Sequence, residues 1–215
     1  MSKKIIIYGA GGHAESCISL IEKTQEFEIL GLIGLKSEVG KKILDYYVIG
    51  SDNDISEVVK ASKKVIIGIG GVNKNSTQIR AEIYKKLNLY KLEFPVIYPE
   101  SANISKKILL SDGVTVFNNV TIGPNVKVGL CSILNNNCLI EHGVSIGSFC
   151  HISTGAIING NTFIGDNSFI GSGAIIKNGL KIGKNCYVGM GEILKKDLPD
   201  NTVYTNGKDS KLIKL

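Results

Sequence analysis

Three histidines stand in this 215-residue chain, and each is set in glycine-rich sequence. His13 lies in IYGAGGHAES, while His142 and His151 share the stretch IEHGVSIGSFCHIS. An imidazole, with an ordinary pKa of about 6.5, suits two kinds of chemistry near neutral pH: taking a proton from an attacking amine or hydroxyl, and ligating zinc. Zinc needs three or four protein ligands in a fixed geometry. The five cysteines, Cys17, Cys131, Cys138, Cys150 and Cys186, form no C-x-x-C pair and are odd in number. Neither a zinc site nor a disulfide framework follows from them, and reduced thiols packed as small hydrophobes are expected. Proton transfer is the better reading of the histidines, and no metal is expected.

The backbone that carries His142 and His151 is set by a repeat. From Ile104 in steps of six, the residues are Ile104, Leu110, Val116, Ile122, Val128, Leu134, Ile140, Ile146, Ile152, Ile158, Ile164, Ile170, Ile176, Ile182, Val188 and Leu194. Small or β-branched residues dominate four positions after each, and glycine often follows directly, as at Gly123, Gly129 and Gly147. A six-residue period is the mark of a parallel β-helix. Three hexads close one triangular coil, and about five coils stack at roughly 4.8 Å. Turn geometry is the expected reason for most of these glycines. His142 follows the inward Ile140 by two positions, so its side chain points outward, and one coil above it lies Gly160. A glycine stacked over a histidine leaves a notch for substrate, with a backbone N–H free to polarise a carbonyl. His151, half a coil on, falls on a different side of the prism, so one chain does not readily bring the two imidazoles together.

His13 sits in different surroundings. The first half alternates strands (KKIIIYGAGG, FEILGLIG, KVIIGIG) with amphipathic helices (HAESCISLIEKTQ, DISEVVKASK, NSTQIRAEIYKKL). That order predicts a parallel α/β sheet with ligands at the carboxyl ends of its strands. GAGGHA matches a relaxed dinucleotide fingerprint, but that motif needs an acid at the end of the second strand, where this chain has Gly34 and Leu35. A nicotinamide cofactor is therefore not expected. The boundaries read from the two periods are 1–100 for the α/β domain, 101–195 for the β-helix and 196–215 for a tail.

The hexapeptide pattern closely resembles the left-handed β-helix acyltransferases. With IYGAGGHA, VGKKILDYYVIGSDNDI, IGIGGVNKNSTQIR and the tail ILKKDLPDNTVYTNGKDSKLI, the whole chain resembles the bacterial sugar O-acyltransferase family. That family includes sialic acid O-acetyltransferases and N-acetyltransferases of 4-amino-4,6-dideoxy nucleotide sugars, and the chain looks most like the latter. The resemblance implies a Rossmann-like α/β domain followed by a left-handed parallel β-helix, assembled as a homotrimer with active sites between subunits. It implies acetyl-CoA as co-substrate and a nucleotide sugar as acceptor. His142 takes the place of the catalytic base with Glu141 as an orienting neighbour, and His151, Gly160, Gly173 and Ala174 lie at the acetyl-CoA. Gly9, Gly11, Gly12, His13 and Asn135 lie at the nucleotide sugar, with the glycine turn near its phosphates. Two other readings stay open: O-acetylation of a sialic-acid-like sugar, and a non-catalytic nucleotide-sugar binding protein. The γ-class carbonic anhydrases share the prism but bind zinc through three histidines, and His13 is in the other domain.

Composition fits these expectations. The formal charge is +6 with a pI of about 9.0, but the lysines are scattered, aromatics are 7% and Trp is absent, which argues against a nucleic-acid platform. No apolar stretch approaches the roughly 20 residues of a membrane span. MSKK runs directly into a glycine turn without a leader pattern, so a cytoplasmic protein is expected.

Overall fold

The computed structural model describes residues 3–71, 76–206 and 208–211. Residues 72–75 of the stretch IGIGGVNKNSTQIR, and 207 and 212–215 of the tail, lie outside them. The first half runs β1 (Lys3–Tyr8), α1 (Gly12–Thr24), β2 (Phe27–Gly34), β3 (Lys42–Ile43), β4 (Tyr46–Ser51), α2 (Ile55–Ala61), β5 (Val65–Ile67) and α3 (Ser76–Asn88). Strand order is β3-β4-β2-β1-β5, parallel except for the β3–β4 hairpin. The hairpin is absent from the sequence expectation, because its strands are short and half-exposed and give no clean alternation. Central β1 is apolar on both faces for a reason. Ile5 and Ile7 pack on α1, and Ile6 and Tyr8 pack on the side of α2 and α3. Burying each such isoleucine fully is worth about 1.5–3 kcal/mol. With β2 on one side of β1 and β5 on the other, the chain reverses direction at β1, where a crevice opens at the strand ends.

The second half is a left-handed prism of sixteen two-residue strands from Asn103–Ile104 to Ile193–Leu194, each ending on an aliphatic of the six-residue series. Strands 103–104, 121–122, 139–140, 157–158, 175–176 and 193–194 form the first side. Strands 109–110 to 181–182 form the second, and strands 115–116, 133–134, 151–152, 169–170 and 187–188 the third. Cys138, Cys150 and Cys186 are buried in the prism core, as their register requires.

The glycines divide into two kinds, which corrects the expectation that turn geometry accounts for most of those after an aliphatic. Corner positions such as Gly155 (φ +67°) and Asn137 (φ 59°) do adopt the left-handed conformation. The glycines directly after an inward aliphatic do not. A Cβ added to Gly129 would stand 2.5 Å from the carbonyl carbon of Gly147 on the next coil. There glycine is needed for close stacking of backbone on backbone.

The two halves are packed together. Ile97, Phe117 and Ile133 join the cluster of Ile5, Ile7, Cys17 and Ile21, so α1 lies on the third side of the prism. Between them, Glu93 bridges to Lys64 and Ile97 to Thr115. After the prism, strand Thr202–Thr205 pairs with 187–188 on the third side, and Lys208–Lys211 returns antiparallel to it.

Candidate active site

Two constellations result, at different corners of the prism. The first is built where β1 ends against the third side. Gly9 turns with φ +127°, and a Cβ there would lie 2.7 Å from the Gly68 carbonyl, so only glycine fits. Gly11 caps α1 without a side-chain hydrogen bond, and a Cβ on Gly11 or Gly12 would meet nothing within 4 Å. Space is thus open beside Gly11 and Gly12 at the start of α1, and an anion is favoured at the positive end of a helix. His13, in the first turn, packs its ring 5.5 Å from Phe117 and 6.1 Å from His151, and its Nε2 is buried with no hydrogen-bond partner.

His151 is the first residue of its strand and projects from the third side into the domain junction, where it is 2% exposed. Its Nδ1 lies 2.9 Å from the Gly70 carbonyl and 3.0 Å from that of Gly71. Carbonyls only accept, so Nδ1 carries the proton and Nε2 accepts from Asn135 Nδ2 at 3.3 Å. Asn135 Oδ1 in turn accepts from the Asn136 N–H at 2.8 Å, which fixes the amide. Burial pushes His151 down to about 4, helped by the Arg80 cation. Burial, then His151 and Arg80, pushes His13 down to about 3. Both rings are neutral near pH 7. The α/β domain covers the His151 ring, and both its nitrogens are engaged.

Arg80, which the sequence reading passes over, holds this junction. It is 1% exposed and reaches from α3 to the prism, donating to the carbonyls of Cys131, Phe149 and Cys150. Cys131 (φ 48°) and Phe149 (φ 58°) are corner residues in the left-handed conformation that glycine or asparagine usually takes. The guanidinium therefore clamps two strained corners, and burial lowers its own pKa to about 10. The signal was an arginine on the apolar stripe it shares with Ile83 and Leu87.

The second constellation is His142 at the corner between the first and second sides. His142 is exposed, and its ring lies over Gly160 of the next coil. A Cβ on Gly160 would stand 2.7 Å from both Cε1 and Nε2 of the ring. The imidazole itself thus fills the notch that the repeat arithmetic left for substrate. Among the described residues no carbonyl accepts from the Gly160 N–H, and no hydrogen bond joins Glu141 to His142. Gly173 is exposed on the opposite edge of the first side, at the corner that also carries Asn135. Ala174 turns its methyl into the prism core, leaving only its backbone to meet a ligand. Glu38 and Asp52, absent from the sequence expectation, line a cavity of about 420 Å³ at the ends of β1, β2 and β4. Among the described residues no group of three or more His, Cys, Asp or Glu is placed to hold a metal, and no helix is long and apolar enough to cross a membrane.

Comparisons with known proteins bear on both halves. Residues 4–87 match the family model of the PglD N-terminal domain, and residues 162–196 that of the hexapeptide repeat of succinyl-transferase. No curated protein sequence matches the chain. Among solved structures, PerB from Caulobacter crescentus in complex with CoA and GDP-perosamine matches with a TM-score of 0.88 at 23% identity, over 97% of this chain and 96% of that one. The acetyltransferase domain of PglB from Neisseria gonorrhoeae FA1090 in complex with acetyl coenzyme A matches at 0.87 and 22%, over 99% and 100%. WeeI from Acinetobacter baumannii AYE matches at 0.68 and 22%, over 98% and 100%. The first half of the chain is thus similar to the PglD N-terminal domain and the end of the prism to the hexapeptide repeat, and the chain as a whole has the fold of the PerB and PglB structures.

Proposed function

We propose that the protein is an acetyl-CoA-dependent N-acetyltransferase acting on the 4-amino group of a nucleotide-linked 4-amino-4,6-dideoxyhexose, in bacterial surface glycan synthesis such as that of lipopolysaccharide. The observation that carries this reading is His142, an exposed imidazole seated at a prism edge over a glycine whose N–H has no carbonyl partner among the described residues. The PerB structure, of the same fold, holds CoA and GDP-perosamine, which supports the reading.

In this mechanism the sugar amine attacks the thioester carbonyl carbon. His142 takes the proton that the nitrogen sheds, and the Gly160 N–H steadies the oxyanion of the tetrahedral intermediate. When the C–S bond breaks, His142 returns the proton to the departing CoA sulfur, and amide and CoA are released. Gly9, Gly11 and Gly12 hold the pyrophosphate at the start of α1. His13 and Asn135 face the sugar, and His151 acts through Asn135.

Of the expected acetyl-CoA contacts, Gly160 falls on one edge of the first side, beside the proposed base His142, Gly173 and Ala174 fall on the other edge, and His151 falls on the third side. The face between carries an outward ladder of Leu139, Ile157, Ile175 and Ile193, the last 53% exposed. A homotrimer with this face toward its axis sets the His142 corner of one subunit against the Asn135 and Gly173 corner of the next. All five cysteines are buried and unpaired, in keeping with work in the cytoplasm. The test is CoA release from acetyl-CoA with nucleotide-linked 4-amino sugars and with free sialic acid, using wild type and His142→Ala. Turnover with an amino-sugar nucleotide that the substitution abolishes is expected. Turnover with sialic acid alone would overturn the N-acetyl reading, and silence with every acceptor would overturn the enzyme reading.

A further inference from the structure

The two ends of the prism are finished differently. At the top the tail returns over the core. Leu198 and Tyr204 are buried in it, Asp197 and Asp200 accept from the N–H groups of Lys181 and Lys184 at 2.8 Å, and Thr202–Thr205 continues the third side. At the base only the third side is continued, by Ile97 beneath Thr115. Strands 103–104 and 109–110 are the last of their sheets and are paired along one edge alone. Val96, Ala102, Ile104, Ile108 and Leu110 pack on the core but stay half-buried around a cavity of about 600 Å³, with Tyr98 53% exposed at its rim. Open strand edges beside an open apolar interior are a surface that folded proteins block or cover.

The charges around the base point to what covers it. Ile97 lies one coil below Thr115 and Asn103 one coil below Thr121, so the chain between them keeps register with the coil above. Glu100 therefore takes the corner between the third and first sides, just before strand 103–104. Lys106 and Lys107 take the corner between the first and second sides, just after it. All three are exposed, and none forms an ion pair among the described residues. The base of the first side is thus acidic at one end and basic at the other. A two-fold axis through the middle of that side reverses it, setting Glu100 of each copy against Lys106 and Lys107 of the other. The same axis runs the two 103–104 edges antiparallel, the arrangement in which one surface is complementary to itself.

We infer that the prism base is an interface to a second copy of this chain, stacked base to base about that two-fold, so that two trimers join as a hexamer. The inference rests on the trimer of the proposed function. With the first side toward the threefold axis, the two-fold meets that axis at right angles, and the assembly closes. One prism end is smaller than the roughly 800 Å² that each partner gives to a stable interface, so a single pair of ends does not hold by itself. A trimer presents three ends in one plane, and they bind as a unit.

The experiment is sedimentation equilibrium of the full chain over a range of concentrations, as wild type, as Glu100→Lys, and as Lys106→Glu with Lys107→Glu. Wild type is expected to reach the mass of six copies. Each variant sets like charges against each other at both contacts and should stop at three copies, with thermal melting to confirm that it is folded. The two variants mixed in equal amounts are complementary again at both contacts, and six copies should return. Wild type that stays at three copies at every concentration would overturn the inference, leave the trimer standing, and give the base to a different partner. Variants that keep six copies, or a mixture that stays at three, would overturn it as well. A wild-type monomer would sink the trimer reading and this inference with it.

Discussion

Gly160→Ala tests the geometry of the proposed base more sharply than removing the histidine does. The added Cβ would stand 2.7 Å from Cε1 and Nε2 of His142 and 3.2 Å from Nδ1. Ordinary carbon contacts begin near 3.5 Å, so the ring must retreat by roughly 1 Å. His142 is exposed and swings outward freely, and Gly160 is not among the left-handed residues. The stability cost should therefore stay below about 1 kcal/mol. A misplacement of about 1 Å at a reacting group costs on the order of 10²-fold in rate. We expect kcat to fall about 100-fold, with KM for the nucleotide sugar little changed. His142→Ala should lose about 10²–10⁴-fold. Because Gly160→Ala acts by moving the imidazole, the double variant should be no slower than His142→Ala alone. The assay is thiol release from acetyl-CoA under saturating acceptor, with melting curves as the folding control. Wild-type kcat in Gly160→Ala would refute the reasoning, as would a double variant whose loss is the product of the two single losses.

Other consequences are as direct. His13 and His151 stay neutral in the native state down to about pH 3 and 4. Below about pH 6.5 the unfolded chain binds protons that the native chain refuses, so stability falls with pH, by about 3 kcal/mol for His151 near pH 4. Urea denaturation between pH 4.5 and 7 should show this slope, and His151→Gln should flatten it. Arg80→Met leaves the carbonyls of Cys131, Phe149 and Cys150 without their buried donor, and equilibrium unfolding should show a loss of about 1–3 kcal/mol. Gly129→Ala forces a Cβ to 2.5 Å from the next coil's backbone, whereas Gly155→Ala meets open space at φ +67°. The first should cost more than the second, whose strain is about 1–2 kcal/mol, and thermal melts of the pair should rank them so. Ile175→Arg, on the outward ladder of the first side, should turn a trimer into a folded monomer by light scattering and abolish acetyl transfer. A wild-type monomer with full activity would remove the intersubunit site.

The prism was legible because its code is local and repeated. Each of Ile104 to Leu194 at the six-residue step ends a strand, since one apolar residue per side fills the interior whatever the rest of the chain does. The exposure of His142 and its pairing with Gly160 followed from counting one coil. The meeting of His13 with His151 did not, because it depends on how α1 docks on the third side, through Ile97, Phe117 and Ile133. No periodicity encodes that docking. Glu38 was hidden for another reason: a search for an acid at the strand end looks at positions 34 and 35, while Glu38 reaches the cavity there from a turn three residues later. An acid three residues after Leu35 has the spacing of a capping box, and that was the available signal.

The two constellations are also held differently, and the difference bears on how the site works. At the domain junction His151 is covered, Asn135 is half-buried, and both are hydrogen-bonded on two sides, with Arg80 clamping the corners beneath. Such a network suits the positioning of the proposed substrate but offers no lone pair on His151 for a proton, since that lone pair is spent on Asn135. His142 is the opposite: exposed, packed on Gly160, and without a hydrogen bond to Glu141 among the described residues. It is free to take a proton but lacks the partner that would fix its tautomer. In the proposed mechanism one chain thus holds an acceptor platform without a base at one edge of the first side, and a base without an orienting partner at the other. In the proposed trimer those edges meet, and the missing partner for His142 comes from the substrate or from the neighbouring subunit. Assembly would then be a condition of catalysis, through the geometry of the prism corners, as well as of stability.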